Sequence, residues 1–186
     1  MPQDAAIAAA LGARPIVLVG MMGVGKTAIG KRLAARLHLP FVDADHEIEA
    51  AAGMTIAEIF AEHGEPYFRD GEARVLARLL DAGPCVLATG GGAYMRAETR
   101  ERVRAKGIAL WLKAEADVIL KRVRRRNDRP LLQTGDQAAT IARLIAERYP
   151  VYAEADITVM SLDEPHERIV QDCMDALSRH LQTSVD

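Results

Sequence analysis

Residues 20–27, Gly20-Met21-Met22-Gly23-Val24-Gly25-Lys26-Thr27, have the spacing G-x-x-x-x-G-K-[ST]. The chemistry that suits this spacing is phosphate binding. Glycines let backbone N–H groups close on anionic oxygens, a lysine reaches the outer phosphates, and a threonine hydroxyl is a ligand for Mg²⁺. The context agrees. Pro15-Ile16-Val17-Leu18-Val19 reads as a short buried strand before the loop. Residues 28–37 read as a helix after it, with Ile29, Leu33 and Leu37 apolar and Lys31, Arg32 and Arg36 basic. Strand, glycine-rich loop and helix in that order set a helix N-terminus behind the phosphates. A chance glycine-rich turn would leave both the Lys-Thr pair and the strand unexplained.

Other reactive residues follow. Asp43 and Asp45 come at the end of Leu39-Pro40-Phe41-Val42, a second strand, and two residues apart on an extended chain they face the same way. Helix capping accounts readily for one of them and less readily for both. Arg69 lies in Gly64-Glu65-Pro66-Tyr67-Phe68-Arg69-Asp70-Gly71-Glu72, which opens a helix continuing through Val75, Leu76, Leu79 and Leu80. A cation there opposes the helix dipole, so an anionic partner is expected, and Glu72 at i+3 is the nearest. On spacing alone an ordinary surface pair is the better reading. Thr89-Gly90-Gly91-Gly92, after the strand Pro84-Cys85-Val86-Leu87-Ala88, has more glycines than a tight turn needs and lets main chain approach a ligand. Lys121, Arg122, Arg124, Arg125, Arg126 and Arg129, with Pro130-Leu131-Leu132 behind them, form the most basic stretch. It reads as a solvated helix end, as an RNA-binding patch, or as a mobile flap bringing arginines to nucleotide phosphates, and Asn127, Asp128 and Gly135 suit the flap. Arg148 stands just before Pro150.

These residues need elements to hold them. Residues 97–105 and 116–123 read as helices around a fourth strand, Ile108-Ala109-Leu110-Trp111-Leu112. A helix over 137–149, a fifth strand Ile157-Thr158-Val159-Met160 and a helix over 164–181 close the chain. Thr55-Ile56-Ala57-Glu58 has capping-box spacing for a short helix ended by His63-Gly64. Alternating strands and helices imply right-handed crossovers and a parallel sheet. The expected organisation is one α/β domain over 14–186, preceded by an alanine-rich tail over 1–13. A net charge of −2 gives no global attraction to nucleic acid, and 4% aromatic residues leave few platforms for stacking bases. Cys85 and Cys173, the two cysteines, are expected to be core thiols, with no disulfide or zinc site. Neither a signal peptide nor a membrane span is read, so a cytoplasmic location is expected.

Taken together, Gly20 to Thr27, Asp43-Ala44-Asp45, Gly64 to Arg69, Gly90-Gly91-Gly92, and Arg129-Pro130-Leu131-Leu132 with Arg148 resemble the shikimate kinases, small P-loop kinases of the nucleoside-monophosphate-kinase type. The resemblance runs from the first strand to the last helix. It implies a three-layer α/β P-loop fold, with a five-stranded parallel sheet flanked by helices and a mobile lid over about 123–137. It implies transfer of the γ-phosphoryl of ATP to the 3-hydroxyl of shikimate, a step toward chorismate and the aromatic amino acids.

Residue roles follow from the same resemblance. Gly23, Val24, Gly25, Lys26, Thr27 and Ala28 would bind ATP, Arg122 would lie against the adenine, and Arg129 would swing in on the lid to the transferring phosphoryl. Asp45 would hold the acceptor hydroxyls and take the proton. Arg69 and Arg148 would clamp the shikimate carboxylate, with Gly90, Gly91 and Gly92 beside it. Thr27 and, through water, Asp43 would support one Mg²⁺. The strand 85–88 ends in Thr89 where generic P-loop enzymes carry an aspartate, a departure the shikimate kinases share, and this shifts the metal's acidic support to Asp43. The expected partners are ATP, ADP and shikimate, without nucleic acid or membrane, and the expected state is a monomer. The competing readings are a gluconate-kinase-type enzyme, against which the aspartate pair, the triple glycine and Arg-Pro-Leu-Leu speak, and a non-catalytic nucleotide-binding module.

Overall fold

The structure, a computed structural model, describes residues 2–125 and 136–183. Most of the expected lid, with Arg126, Arg129 and Pro130-Leu131-Leu132, lies outside the described residues. Among the described residues, β1 (Ile16–Val19), β2 (Phe41–Asp43), β3 (Val86–Ala88), β4 (Ile108–Lys113) and β5 (Ile157–Met160) form one parallel sheet in the order β2-β3-β1-β4-β5. All four residues of β1 are at most 1% exposed, with no alternation, because helices cover both faces. From β1 the chain crosses by α2 (Lys26–Leu37) to β2. From β3 it crosses the other way by α6 (Ala97–Lys106) to β4. Right-handed crossovers running in opposite directions put these helices on opposite faces, so the loops after β1 and β3 part at the sheet's C-terminal edge. The register places Asp43 level with Ala88, and Ala88 level with Leu18, so β2 and β3 end on one line and β1 runs one residue past it.

Between β2 and β3 lie α3 (Ala44–Ala52), α4 (Ile56–His63) and α5 (Glu65–Asp81). Helix α4 carries the expected capping box, with Thr55 and Glu58 each bonding the other's backbone N–H. After β4 come α7 (Ala116–Arg124), α8 (Gln137–Tyr152) and, past β5, α9 (His166–Thr183). Cys85 and Cys173 are both free and buried.

Three expectations need correction. Residues set apart as a tail form α1 (Pro2–Leu11), whose Ile7 and Leu11, one turn apart, are 2% and 1% exposed in the core against α2 and α9. Arg36 pairs with Asp4 at 3.0 Å, and Gln3 donates to Asp175 at 3.1 Å. Ala8-Ala9-Ala10 conceal the apolar stripe in the sequence. Helix α8 continues through Pro150 to Tyr152, although that proline has no N–H for the carbonyl one turn back. Aromatic packing holds the last turn, with the Trp111 ring 4.9 Å from Tyr149 and 5.8 Å from Tyr152. Finally, Asp45 is in the first turn of α3 and not on an extended strand, so it meets Asp43 by helix geometry.

Candidate active site

Gly25 makes the turn from loop to helix. At φ 96° and ψ 21° it is in the left-handed region, where only glycine is unstrained, and it forms the N-cap of α2. No side chain caps this end and no acidic residue stands in its first turn, so its N–H groups are left to an anion. Lys26 Nζ donates to Gly20 O at 2.6 Å and Met21 O at 2.9 Å, which folds the ammonium over the loop. Ser161, fully buried, donates from Oγ to Val24 O at 2.7 Å. Arg122 donates to Val24 O at 3.1 Å, Ser161 Oγ at 2.9 Å and Leu162 O at 2.6 Å. The loop is therefore clasped from β5 and α7. Burial pushes the Arg122 pKa down, against the pull of Asp163, because its guanidinium gives up water for these acceptors.

The second strand supplies oxygen. Thr27 Oγ1 donates to Asp43 Oδ2 at 3.3 Å, while Asp43 Oδ1 accepts the backbone N–H of Asp45 at 3.0 Å. Asp43 is thus a true N-cap of α3 and also a neighbour of the Thr27 hydroxyl. Asp45 follows in the helix's first turn, where the dipole favours a carboxylate. Lys26, Thr27, Asp43, Asp45, Gly90 and Gly91 all line one cleft of about 450 Å³.

The glycine turn after β3 is where the remaining charges meet. A Cβ at Gly90 would fall 3.1 Å from Asp45 Oδ1 and 3.2 Å from Glu72 Oε2. At Gly91 it would fall 2.8 Å from Arg148 Nη1, and at Gly92 2.5 Å from Arg69 Nη2. Two carboxylates and two guanidiniums therefore rest against three successive glycines, at distances a side chain would block. Arg69 Nη1 donates to Glu72 Oε1 at 3.0 Å, the pair expected from spacing. It is no surface pair, since the Glu72 side chain is 4% exposed. Burial raises the Glu72 pKa above its ordinary value, and Arg69 opposes the rise. Arg148, expected only from resemblance, is buried on α8. Tyr152 Oη donates to Gly91 O.

Of the candidate residues, Gly23, Gly25, Lys26, Thr27, Ala28, Asp43, Asp45, Gly90, Gly91 and Arg122 line the cleft. Val24 is buried behind it as the loop's anchor. Arg69, Gly92 and Arg148 adjoin it through the glycine turn. Arg129 lies outside the described residues. Thr89, at the usual aspartate position, donates from Oγ1 to Leu18 O at 2.8 Å and ties β3 to β1. Sequence reasoning missed Glu72 as part of the site and missed Tyr152 altogether. The available signals were i+3 from Arg69 and i+4 from Arg148, but neither spacing announces burial. No helix among the described residues is long and apolar enough to cross a membrane.

Comparison with known proteins gives a consistent answer. A model of the shikimate kinase family matches residues 22–178. A shikimate kinase of Rhodopseudomonas palustris is 69% identical over 180 residues, covering 97% of this chain and 89% of that protein. A solved shikimate kinase from Acinetobacter baumannii, in complex with shikimate, superposes with a TM-score of 0.84 at 38% identity, covering 90% of this chain and 95% of that one. A gluconokinase from Sinorhizobium meliloti 1021 reaches 0.62 at 17% identity, with 93% and 96% covered, a likeness of fold alone. The agreement of whole-chain identity with a glycine turn flanked by paired arginines and carboxylates places this protein in the shikimate kinase family.

Proposed function

We propose that this protein transfers the γ-phosphoryl of ATP to the 3-hydroxyl of shikimate, giving shikimate 3-phosphate and ADP. The observation that carries the reading is the convergence of Arg69, Arg148 and Asp45 on Gly90-Gly91-Gly92, at the edge of the cleft that holds Lys26. Planar guanidiniums fit a carboxylate by paired hydrogen bonds, and an aspartate accepts from neighbouring hydroxyls. A small acceptor with one carboxylate and several hydroxyls meets both demands.

In this reading the uncapped start of α2 and Lys26 hold the outer phosphates, and Arg69 and Arg148 hold the acceptor carboxylate. Asp45 orients the hydroxyl and takes its proton. The hydroxyl oxygen forms its bond to the γ-phosphorus as the bond to the β,γ-bridging oxygen breaks, and that electron pair leaves on ADP. Alignment and charge neutralisation supply the rate. Thr27 and Asp43 offer hard oxygen donors beside one another, which fits a Mg²⁺ that keeps most of its ligands as water and phosphate. When bound, that ion neutralises phosphate charge. Arg129 is assigned to the transferring phosphoryl from a lid over about 123–137, and Arg122 to the adenine side. The protein is taken to act as a monomer in the cytoplasm.

The test is ATP-dependent phosphorylation of shikimate, set against gluconate, nucleoside monophosphates and no acceptor, with Lys26→Ala as control. Turnover confined to shikimate and lost in a folded Lys26→Ala protein is expected. Preference for gluconate, or ATP hydrolysis indifferent to acceptor, overturns the assignment.

A further inference from the structure

Tyr152 has no part in the chemistry above, yet it lies against the glycine turn beside Arg148 of the carboxylate clamp. It is 0% exposed, on the last turn of α8, four residues after Arg148, so the two side chains leave the same helix face. Its hydroxyl donates to Gly91 O, and against the raising effect of burial the positive charge of Arg148 nearby draws the hydroxyl's pKa down. Arg148 Nη1 itself lies 2.8 Å from where a Gly91 Cβ would be. Hydroxyl and guanidinium thus both meet the backbone of Gly91. The ring is fixed as firmly, with Trp111 at 5.8 Å and Tyr149 at 6.2 Å between centroids.

We infer that Tyr152 is a positioning residue for the acceptor carboxylate, its hydroxyl joining Arg148 to the Gly91 carbonyl so that guanidinium and glycine turn are presented as one rigid surface. The inference rests on the shikimate reading. A long arginine side chain alone would reach the site in many rotamers, and holding one before substrate arrives lowers the cost of binding. Burial pushes the hydroxyl up to about 12, against the lowering influence of Arg148, so it remains a neutral donor through the neutral range. A phenol serves here where phenylalanine would pack equally well, which points to the oxygen as the feature that matters.

The experiment is steady-state kinetics of Tyr152→Phe with shikimate and with its analogue in which the carboxylate is reduced to a hydroxymethyl group, repeated in an Arg148→Lys background. The expected result is a KM for shikimate raised about ten-fold, the order of one hydrogen bond to a charged group, with ATP affinity unchanged. No such rise is expected for the alcohol, or when Arg148 is already lysine. An unchanged KM for shikimate, an equal rise for the alcohol, or the full effect in the Arg148→Lys background overturns the inference and leaves Tyr152 a packing residue. If Tyr152→Phe does not fold, 3,5-difluorotyrosine installed at position 152 keeps ring and donor but weakens the oxygen as acceptor for Arg148. The same rise confined to shikimate is then expected, and its absence is equally fatal. A wild type inactive on shikimate overturns the substrate reading itself, whereas an active wild type indistinguishable from Tyr152→Phe overturns only this assignment.

Discussion

At Gly92 the backbone has φ −93° and ψ −10°, which alanine adopts without strain, so Gly92→Ala adds a methyl group and changes no charge. The methyl carbon would lie 2.5 Å from Arg69 Nη2 and 2.7 Å from both Cζ and Nη1. Ordinary contact between such atoms is about 3.5 Å, so the guanidinium must retreat by about 1 Å. The end of an arginine moves cheaply, and the fold should hardly notice. A carboxylate bound in a fork does notice. Loss of one hydrogen bond between charged groups is worth about 1.5–3 kcal/mol, so KM for shikimate should rise roughly ten- to hundred-fold. Initial rates against shikimate at saturating ATP read this directly, with ATP affinity by calorimetry and melting temperature as controls. If KM for shikimate is unchanged, or if ATP affinity falls equally, Arg69 is not the acceptor's partner and the steric reasoning fails with it.

Two further perturbations probe different parts of the molecule. Because burial raises the Glu72 pKa, the folded carboxyl holds its proton more tightly than the unfolded one. Its contribution is therefore full below the ordinary value of 4.5 and is lost as pH rises through the folded value. Glu72→Gln removes that loss, so its melting temperature should gain on the wild type as pH climbs from about 4 to about 8, even as KM for shikimate rises. A difference independent of pH would mean that Glu72 is not the strained group. Leu11→Ala, at a position 1% exposed, should cost roughly 2–5 kcal/mol of stability and leave kinetics at low temperature intact. A true tail would lose under about 0.5 kcal/mol, and chemical denaturation separates the two.

How much of the site was legible depended on how local its physics is. The phosphate cradle is written in eight consecutive residues, and it formed in the expected strand, loop and helix. Asp43 and Asp45 were legible as a pair, with a cap readable for one of them. That Asp43 is that cap and Asp45 a first-turn residue was not, because the start of α3 is set by the Asp43 side chain bonding forward. The Arg69–Glu72 spacing was plain. Its burial was not, since that depends on β3 bringing Gly90 up against Glu72 from later in the chain. Tyr152 was invisible for the same reason, as its partner Gly91 stands on another element. Helix α1 was hidden by composition, alanines being compatible with any face.

The central position of β1 also has a temporal meaning. The strand that launches the phosphate loop is synthesised before either of its neighbours in the sheet, which begin at Val86 and Ile108. The groups that clasp Val24 arrive later still, at Arg122 and Ser161, and α1 packs against α9 as well as α2. Closing such long loops costs entropy before any contact rewards it, so this topology folds late and as a whole. On the ribosome, the phosphate-binding motif leaves the tunnel well before the segments that complete its site. ATP can stabilise the finished protein by mass action, but it has nothing to grip while the first half is being made.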